Sequence, residues 1–145
     1  MAEKKFVLRV ITPHRVAFDE KVDMVIMRCT TGDMGIMYGH EPRSAVLDYG
    51  VFRIFGGDTD ERWLAVYGGL AEIKDNILTV LTGGAEWPHE VDSKNAQEAE
   101  EHLRHRLQEH ADDVDIRRDQ ALLRRALVQI ELSSYPYLAK TDDYN

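Results

Sequence analysis

The sequence predicts a β-plus-α protein: an antiparallel β-sandwich over residues 1–88, then an antiparallel helical hairpin and tail over residues 89–145. Three observations carry this. Between Lys5 and Leu81, short apolar runs recur with turn residues between them, the pattern of a sandwich or barrel. The stretch TGGAEWPH, Thr82 to His89, then stops that pattern with two glycines and a proline. Beyond it, apolar residues recur at intervals of three and four, the period of an amphipathic helix.

In chain order, Phe6, Leu8 and Val10 alternate with Val7, Arg9 and Ile11 before a turn at Thr12-Pro13-His14. Val16 to Phe18 is brief, and Val22, Met24 and Ile26 alternate with Asp23, Val25 and Met27. GDMGIMYGHEP, Gly32 to Pro42, holds three glycines and no apolar/polar alternation. It is expected to be a tight, irregular loop, closed where Pro42 extends Glu41. Loops that display Met, Tyr and charged side chains on a scaffold are contact surfaces more often than packing. Ser44 to Leu47 is extended, Asp48-Tyr49-Gly50 reads as a turn, and Val51 to Phe55 follows. Gly56-Gly57-Asp58 signals a hairpin into the Trp63 to Tyr67 run, which Gly68-Gly69 is expected to break. Leu70 to Ile73, a turn at Lys74-Asp75-Asn76, and Ile77 to Leu81 complete the sandwich. Several runs are apolar on both faces, as where two sheets pack.

Ala96, Ala99, Leu103, Leu107 and Ala111 make one helical stripe; Ile116, Leu123, Leu127 and Ile130 make a second. Asp112-Asp113 separates them, Asp113 suits an N-cap, and Pro136 ends the second helix at the tail Tyr135-Pro136-Tyr137. The stripes are too small to hold a hairpin in water alone, so it must dock on the sandwich or on a partner. A weakly docked element can take two arrangements.

The chain has 145 residues and a net charge of −8, with 43% apolar and 30% charged residues. Up to Glu90 there are 10 basic and 14 acidic residues, and beyond it 8 and 12, so the deficit is even. That balance argues against nucleic acid as a partner. Cys29 alone excludes a disulfide framework and suits a reducing compartment. The start, MAEKKFVLRVITP, does not read as a signal peptide, and no run is long enough to insert in a membrane.

Catalytic signatures are missing: there is no phosphate-binding glycine loop, nucleophile elbow, Cys-x-x-Cys or His-Glu-x-x-His. His102 and His105, each four residues after a glutamate (Glu98, Glu101), read as solvated pairs rather than metal ligands. His40 could serve as a general base with Asp33 or Glu41, but no nucleophile is spaced to join it, so a contact role is preferred. No catalytic or metal-binding residue is assigned. Arg117-Arg118 and Arg124-Arg125 give the second helix a basic face, while Glu98, Glu100, Glu101 and Glu109 make the first acidic. That is a charge match across the hairpin, or a face for an acidic partner when the hairpin opens.

Together these residues resemble the epsilon subunit of bacterial and chloroplast F-type ATP synthases. The family's pattern corresponds to Thr12-Pro13, the Gly32 to Pro42 segment, Gly50, Gly68-Gly69, Val80-Leu81 and the hairpin with its Asp112-Asp113-Val114-Asp115 bend. Tyr38 stands where the family has Pro, and Glu41 where a small residue is usual. The resemblance implies a non-catalytic rotor subunit, peripheral on the cytoplasmic face of the bacterial inner membrane or the stromal face of the thylakoid. Its implied partners are the gamma subunit, the polar loops of the c-ring, and the catalytic beta and alpha subunits when the hairpin extends. Asp33, Met34, Tyr38, Gly39, His40 and Glu41 are the implied contacts with gamma and the c-ring. Arg117, Arg118, Arg124 and Arg125 are the implied regulatory face that restrains ATP hydrolysis. Some members bind ATP in the folded hairpin through Ile-Asp-x-x-Arg-Ala and later arginines. This chain keeps Asp92 but has Asn95 for the Arg, and His102, Arg125 and Gln129 at the later basic positions. Asp92 and Arg125 are therefore the remaining nucleotide candidates. Weak or absent ATP binding is expected, with Asp92 acting first as an N-cap. A free-standing nucleotide-sensing module is the alternative.

Overall fold

The computed structural model describes residues 4–56, 59–109 and 113–135. Eight strands come first: β1 Phe6–Ile11, β2 Val16–Val22, β3 Met24–Cys29, β4 Gly32–Met37, β5 Arg43–Gly56, β6 Thr59–Lys74, β7 Ile77–Leu81 and β8 Ala85–Glu86. A 3₁₀ turn at Pro88–Glu90 leads to the helices α1, Ser93–Glu109, and α2, Asp113–Ser134. The strands run β2-β1-β7-β6-β5-β3-β4, with β8 added beside β6. Neighbours are antiparallel except β1 and β7. The two halves of this sheet face each other across one core, built from alternate residues such as Phe6, Leu8, Val25, Ile36, Phe52, Leu64 and Leu78. Cys29 belongs to that core, and burial pushes its thiol up.

The long strands β5 and β6 correct two expected turns. Asp48-Tyr49-Gly50 and Gly68-Gly69 do not reverse the chain; they lie inside β5 and β6. Leu47 pairs with Gly69 and Tyr49 with Tyr67, so the two irregular stretches face each other. Gly68 and Gly69 have φ of +72° and +117°, and a Cβ on Gly69 would run into the Leu81 carbonyl oxygen. The glycines mark a bend that lets one hairpin serve both halves of the sandwich, not a break.

The Gly32 to Pro42 segment also differs from expectation. Its first six residues form β4, paired rung by rung with β3. Ile36 is buried and Met34 half-buried, while Asp33, Gly35 and Met37 point outward. The alternation exists once Gly35 is counted as an outward position. Strand-weakening glycines are tolerated because β4 is an edge strand. Only Tyr38-Gly39 is a turn, with Gly39 at φ +80°.

Asp92 caps α1, its Oδ1 accepting from the Lys94 and Asn95 amides at 3.0 and 3.2 Å. Ala96 and Leu103 are buried in the hairpin, with Ala99 and Leu107 half-buried. In α2 the expected stripe is only the fringe of what is buried. Leu127 is 38% exposed, and Ile116, Leu123 and Ile130 are half-buried. The buried positions are Asp119, Ala126, Val128 and Leu132. The reason is that α2 packs on two things at once, α1 and the outer face of β5 and β6. Val128 and Leu132 cluster with Val51, Trp63, Ala65 and Tyr67. The second apolar face of β6 is thus covered by a helix rather than by another sheet. Ala111, Asp112, Pro136 and Tyr137 lie outside the described residues, as do Gly57 and Asp58. Among the described residues no helix is long and apolar enough to cross a membrane.

Candidate interaction surfaces

The six expected contact residues around Gly32 to Pro42 do not form one patch. Asp33 sits opposite Arg28 at one end of β4, and Met37 opposite Met24 at the other, about 13 Å away by strand rise. Asp33 lies 3.7 Å from the Arg28 guanidinium. Met34 packs against the core. Beyond Met37, Tyr38, Gly39 and Glu41 are exposed and His40 half-buried. This turn is anchored by the Gly39 amide donating to Asn76 Oδ1 at 2.7 Å. His40 Nδ1 faces the Glu41 main-chain oxygen at 2.8 Å. His40 and Asp33 stand at opposite ends of the strand, which removes one of the two expected acid partners, while His40 Nδ1 meets the main chain of the other, Glu41.

A second surface, not foreseen from sequence, follows from the register. Val46 pairs with Leu70, Leu70 with Leu81, Leu81 with Ile11, and Ile11 with Val16. Paired residues point to the same side, so these five form one apolar row across five strands. Val16, Val46, Leu70 and Leu81 are each more than half exposed. The next row inward is polar, with Ser44, Glu72, Thr79 and Arg9. An apolar row of this width on an outer face marks an interaction site.

The third surface is the seam between α2 and the sandwich. Gly50 makes room for Arg28, since a Cβ there would lie 2.6 Å from Arg28 Cβ and Cδ. Arg28 crosses β5 and donates twice to Glu131 on α2, Nη1 to Oε2 at 3.0 Å and Nη2 to Oε1 at 3.1 Å. This fork geometry is the strong form of a charged hydrogen bond. At the other part of the seam, Glu86 Oε1 accepts from the Tyr67 hydroxyl at 2.6 Å, Arg125 Nη2 at 3.0 Å and Gln129 Nε2 at 3.0 Å. Burial, and then the bond to Glu86, push the Tyr67 phenol well above its ordinary value, so it keeps the proton it donates. The Arg125 guanidinium also lies 4.7 Å over the Tyr67 ring, Arg124 lies 5.0 Å over Tyr49, and Tyr135 stacks on Trp63 at 5.2 Å. Arg117 and Arg118 are exposed. All four arginines expected to form one basic face are exposed, and Arg124 and Arg125 also lie over rings of the sandwich.

The nucleotide candidates are likewise engaged. Asp92 spends one oxygen on its cap. A groove of about 320 Å³ between the helices is lined by His102, Arg106, Leu122, Arg125 and Gln129, among others. Arg106 Nε lies 3.3 Å from the buried Asp119 carboxylate, and Arg125 is held by Glu86. Both guanidinium groups of the groove already have an anion. His105 is exposed, with its Nδ1 3.9 Å from the Glu109 carboxylate.

Arg28, Glu86 and Glu131 were missed by sequence reasoning because their partners lie 103 and 39 residues away in the chain. So was Arg15, which donates to the Ala85 carbonyl at 2.9 Å and to Glu90 at 2.7 Å. It pins the segment joining sandwich to hairpin.

The family model for the ATP synthase delta/epsilon chain, beta-sandwich domain, matches residues 5–88. An ATP synthase epsilon chain from Caldicellulosiruptor saccharolyticus is 36% identical over 134 residues, covering 91% of this chain and 94% of the relative. One from Caldicellulosiruptor bescii is 37% identical over 135 residues, covering 92% and 95%. Among solved structures, a chain of the Euglena gracilis mitochondrial ATP synthase (OSCP/F1/c-ring) superposes with a TM-score of 0.78 at 19% identity. It covers 96% of this chain and 84% of that one.

Proposed function

We infer the function from the family: this chain belongs to the family of ATP synthase epsilon chains, and it is a rotor subunit of an F-type ATP synthase rather than its catalytic one. The observation that carries this is similarity along nearly the full length of both chains, hairpin included. The role we propose within the complex is to couple c-ring rotation to the gamma shaft from the cytoplasmic side of the membrane. The exposed apolar row through Leu70 and Leu81 supports a gamma-facing sandwich surface. The Tyr38 to Glu41 turn, at the far end of an edge strand, is the proposed contact with polar c-ring loops.

The hairpin is proposed to restrain ATP hydrolysis when it leaves the sandwich and turns Arg117, Arg118, Arg124 and Arg125 toward acidic loops of the catalytic subunits. In the docked arrangement Arg124 and Arg125 lie over Tyr49 and Tyr67, contacts that they would give up on leaving the sandwich. ATP binding to the hairpin is proposed to be weak or absent. A triphosphate would have to displace Glu86 and Asp119 from the two groove arginines.

Co-purification tests the assignment. The chain should be retained with gamma and c-ring, and Leu70→Asp should weaken that retention without unfolding the sandwich. Failure of the unaltered chain to co-purify overturns the rotor role. Ending the chain after Glu90 should raise ATPase activity of the complex, and unchanged activity would remove the regulatory claim alone. Calorimetric titration with ATP should show no binding at micromolar concentration.

A further inference from the structure

We propose that the segment following α2, Pro136 to Lys140, docks on the outer face of β5, β3 and β4, with an apolar side chain of Tyr137-Leu138 over Ile26 and Gly35. Register defines the surface. Trp63 pairs with Arg53, Arg53 with Ile26, and Ile26 with Gly35. Paired residues point to one side, so these four make one row across β6, β5, β3 and β4. Among the described residues, α2 covers only the beginning of this face, at Val51, Trp63, Ala65 and Tyr67. Beyond Trp63 the row is sunk between longer side chains. Phe55, Met24 and Met37 pair in turn along one flank, and Arg28 opposite Asp33 stands on the other. Gly35 brings no side chain, and a Cβ there would meet nothing within 4 Å among the described residues. Met37 is 58% exposed, and Met24, Ile26 and Phe55 are half-buried. Arg53 holds its guanidinium over the Phe55 ring at 5.3 Å and donates to Glu61 at 2.9 Å, which leaves its alkyl stem to the row. An apolar trough of this kind on an outer face marks a binding surface.

What fills the trough follows from where α2 ends. Tyr135, the last described residue, stacks on Trp63, the first member of the row, with centroids 5.2 Å apart and ring planes at 23°. Burial, then Glu131, push the Tyr135 phenol above its ordinary value against the pull of Arg53 and Arg28, so its hydroxyl lies near both arginines. Pro136 comes next and cannot extend the helix. From β6 to β4 is three strand spacings, about 14 Å, a distance that roughly four extended residues cover. Tyr137, Leu138 and Ala139 bring apolar surface to that span. Lys140 then arrives at β4 beside Asp33, whose side chain is mostly exposed and of opposite charge. This docking concerns the isolated chain and stands whether or not the rotor role does.

Methyl NMR on the full chain in dilute solution tests the docking. The Ile26 δ1 methyl should show a nuclear Overhauser contact to the Tyr137 ring or to the Leu138 methyls. Ending the chain after Tyr135 should abolish that contact and shift the Met24, Ile26 and Met37 methyl signals. Those of Met27 and Ile54, buried in the core, should stay in place. No contact in the full chain, with signals unmoved by the shortening, overturns the proposal. Signals that move with protein concentration assign the row to a second copy and overturn it as well. If the shortening also shifts Leu132, α2 has moved with the segment, and Gly35→Leu decides instead. Gly35 is not at positive φ and its Cβ direction is open, so leucine fills the floor of the trough without straining β4. Loss of the Ile26 contact with Leu132 unshifted then supports the docking, and persistence of the contact overturns it.

Discussion

The sandwich and the hairpin are held by different kinds of contact. In the sandwich, strands distant in sequence pair in fixed register and enclose one core to which all eight strands contribute buried residues. No strand can leave without exposing the residues of its neighbours. The hairpin touches the sandwich along one side of one helix, through Val128, Leu132, Tyr135 and a few charged pairs. Separating that seam would expose fewer core residues than removing a strand. The difference separates a unit closed on its own core from an element attached along one seam.

The sharpest way to break the contrast is through the two cores. Phe52→Ala, fully buried among the strands, should destabilise the chain by about 3–5 kcal/mol, and sheet and helix signals should melt together. Leu132→Ala removes an equally buried residue from the seam. It should cost about 2–3 kcal/mol, read as faster exchange in α2 with the sheet's unfolding temperature little changed. If Leu132→Ala lowers that temperature as far as Phe52→Ala does, the hairpin is part of one cooperative unit and the contrast fails.

The smallest expected effect is a pH dependence at the joint. Burial pushes Glu90 up, but hydrogen bonds from Arg15 and the Trp87 amide outweigh it, so its net displacement is below the ordinary 4.5. A carboxylate lowered on folding contributes stability that is complete above the unfolded value and is lost as pH falls through the folded one. Thermal unfolding should therefore show the unaltered chain more stable than Glu90→Gln near neutral pH. The gap should narrow as acidification protonates Glu90 in the folded chain, and a gap that widens would contradict the assignment. The pair is partly exposed, which keeps the effect small.

Much of the fold was legible because its signals are local. Apolar alternation in Phe6 to Ile11 and in Ile77 to Leu81 matches β1 and β7, and the spacing of Ala96 and Leu103 matches the buried side of α1. Glycine was read less well. At Gly68-Gly69 and in Gly32 to Met37 the same residue type that ends strands elsewhere bends one strand and lines the edge of another. Composition cannot tell those uses apart, because the partner strand decides between them. The candidate site was legible as residue types rather than as a surface. Asp33 and His40 are seven positions apart, yet an extended strand carries them to opposite ends.

By itself the sequence determined where the period changes from two to three and four, and so where strands give way to helices. It also determined which side chains could meet an acidic partner, since charge and period belong to the residues themselves. Only the tertiary structure decided that β6 is buried under α2, that Leu70, Leu81, Ile11, Val16 and Val46 share one row, and that Arg125 is held by Glu86. Each of these depends on register between segments far apart in the chain. Register is settled by the packing of the whole core, where a shift of one residue turns every side chain of a strand to the opposite face.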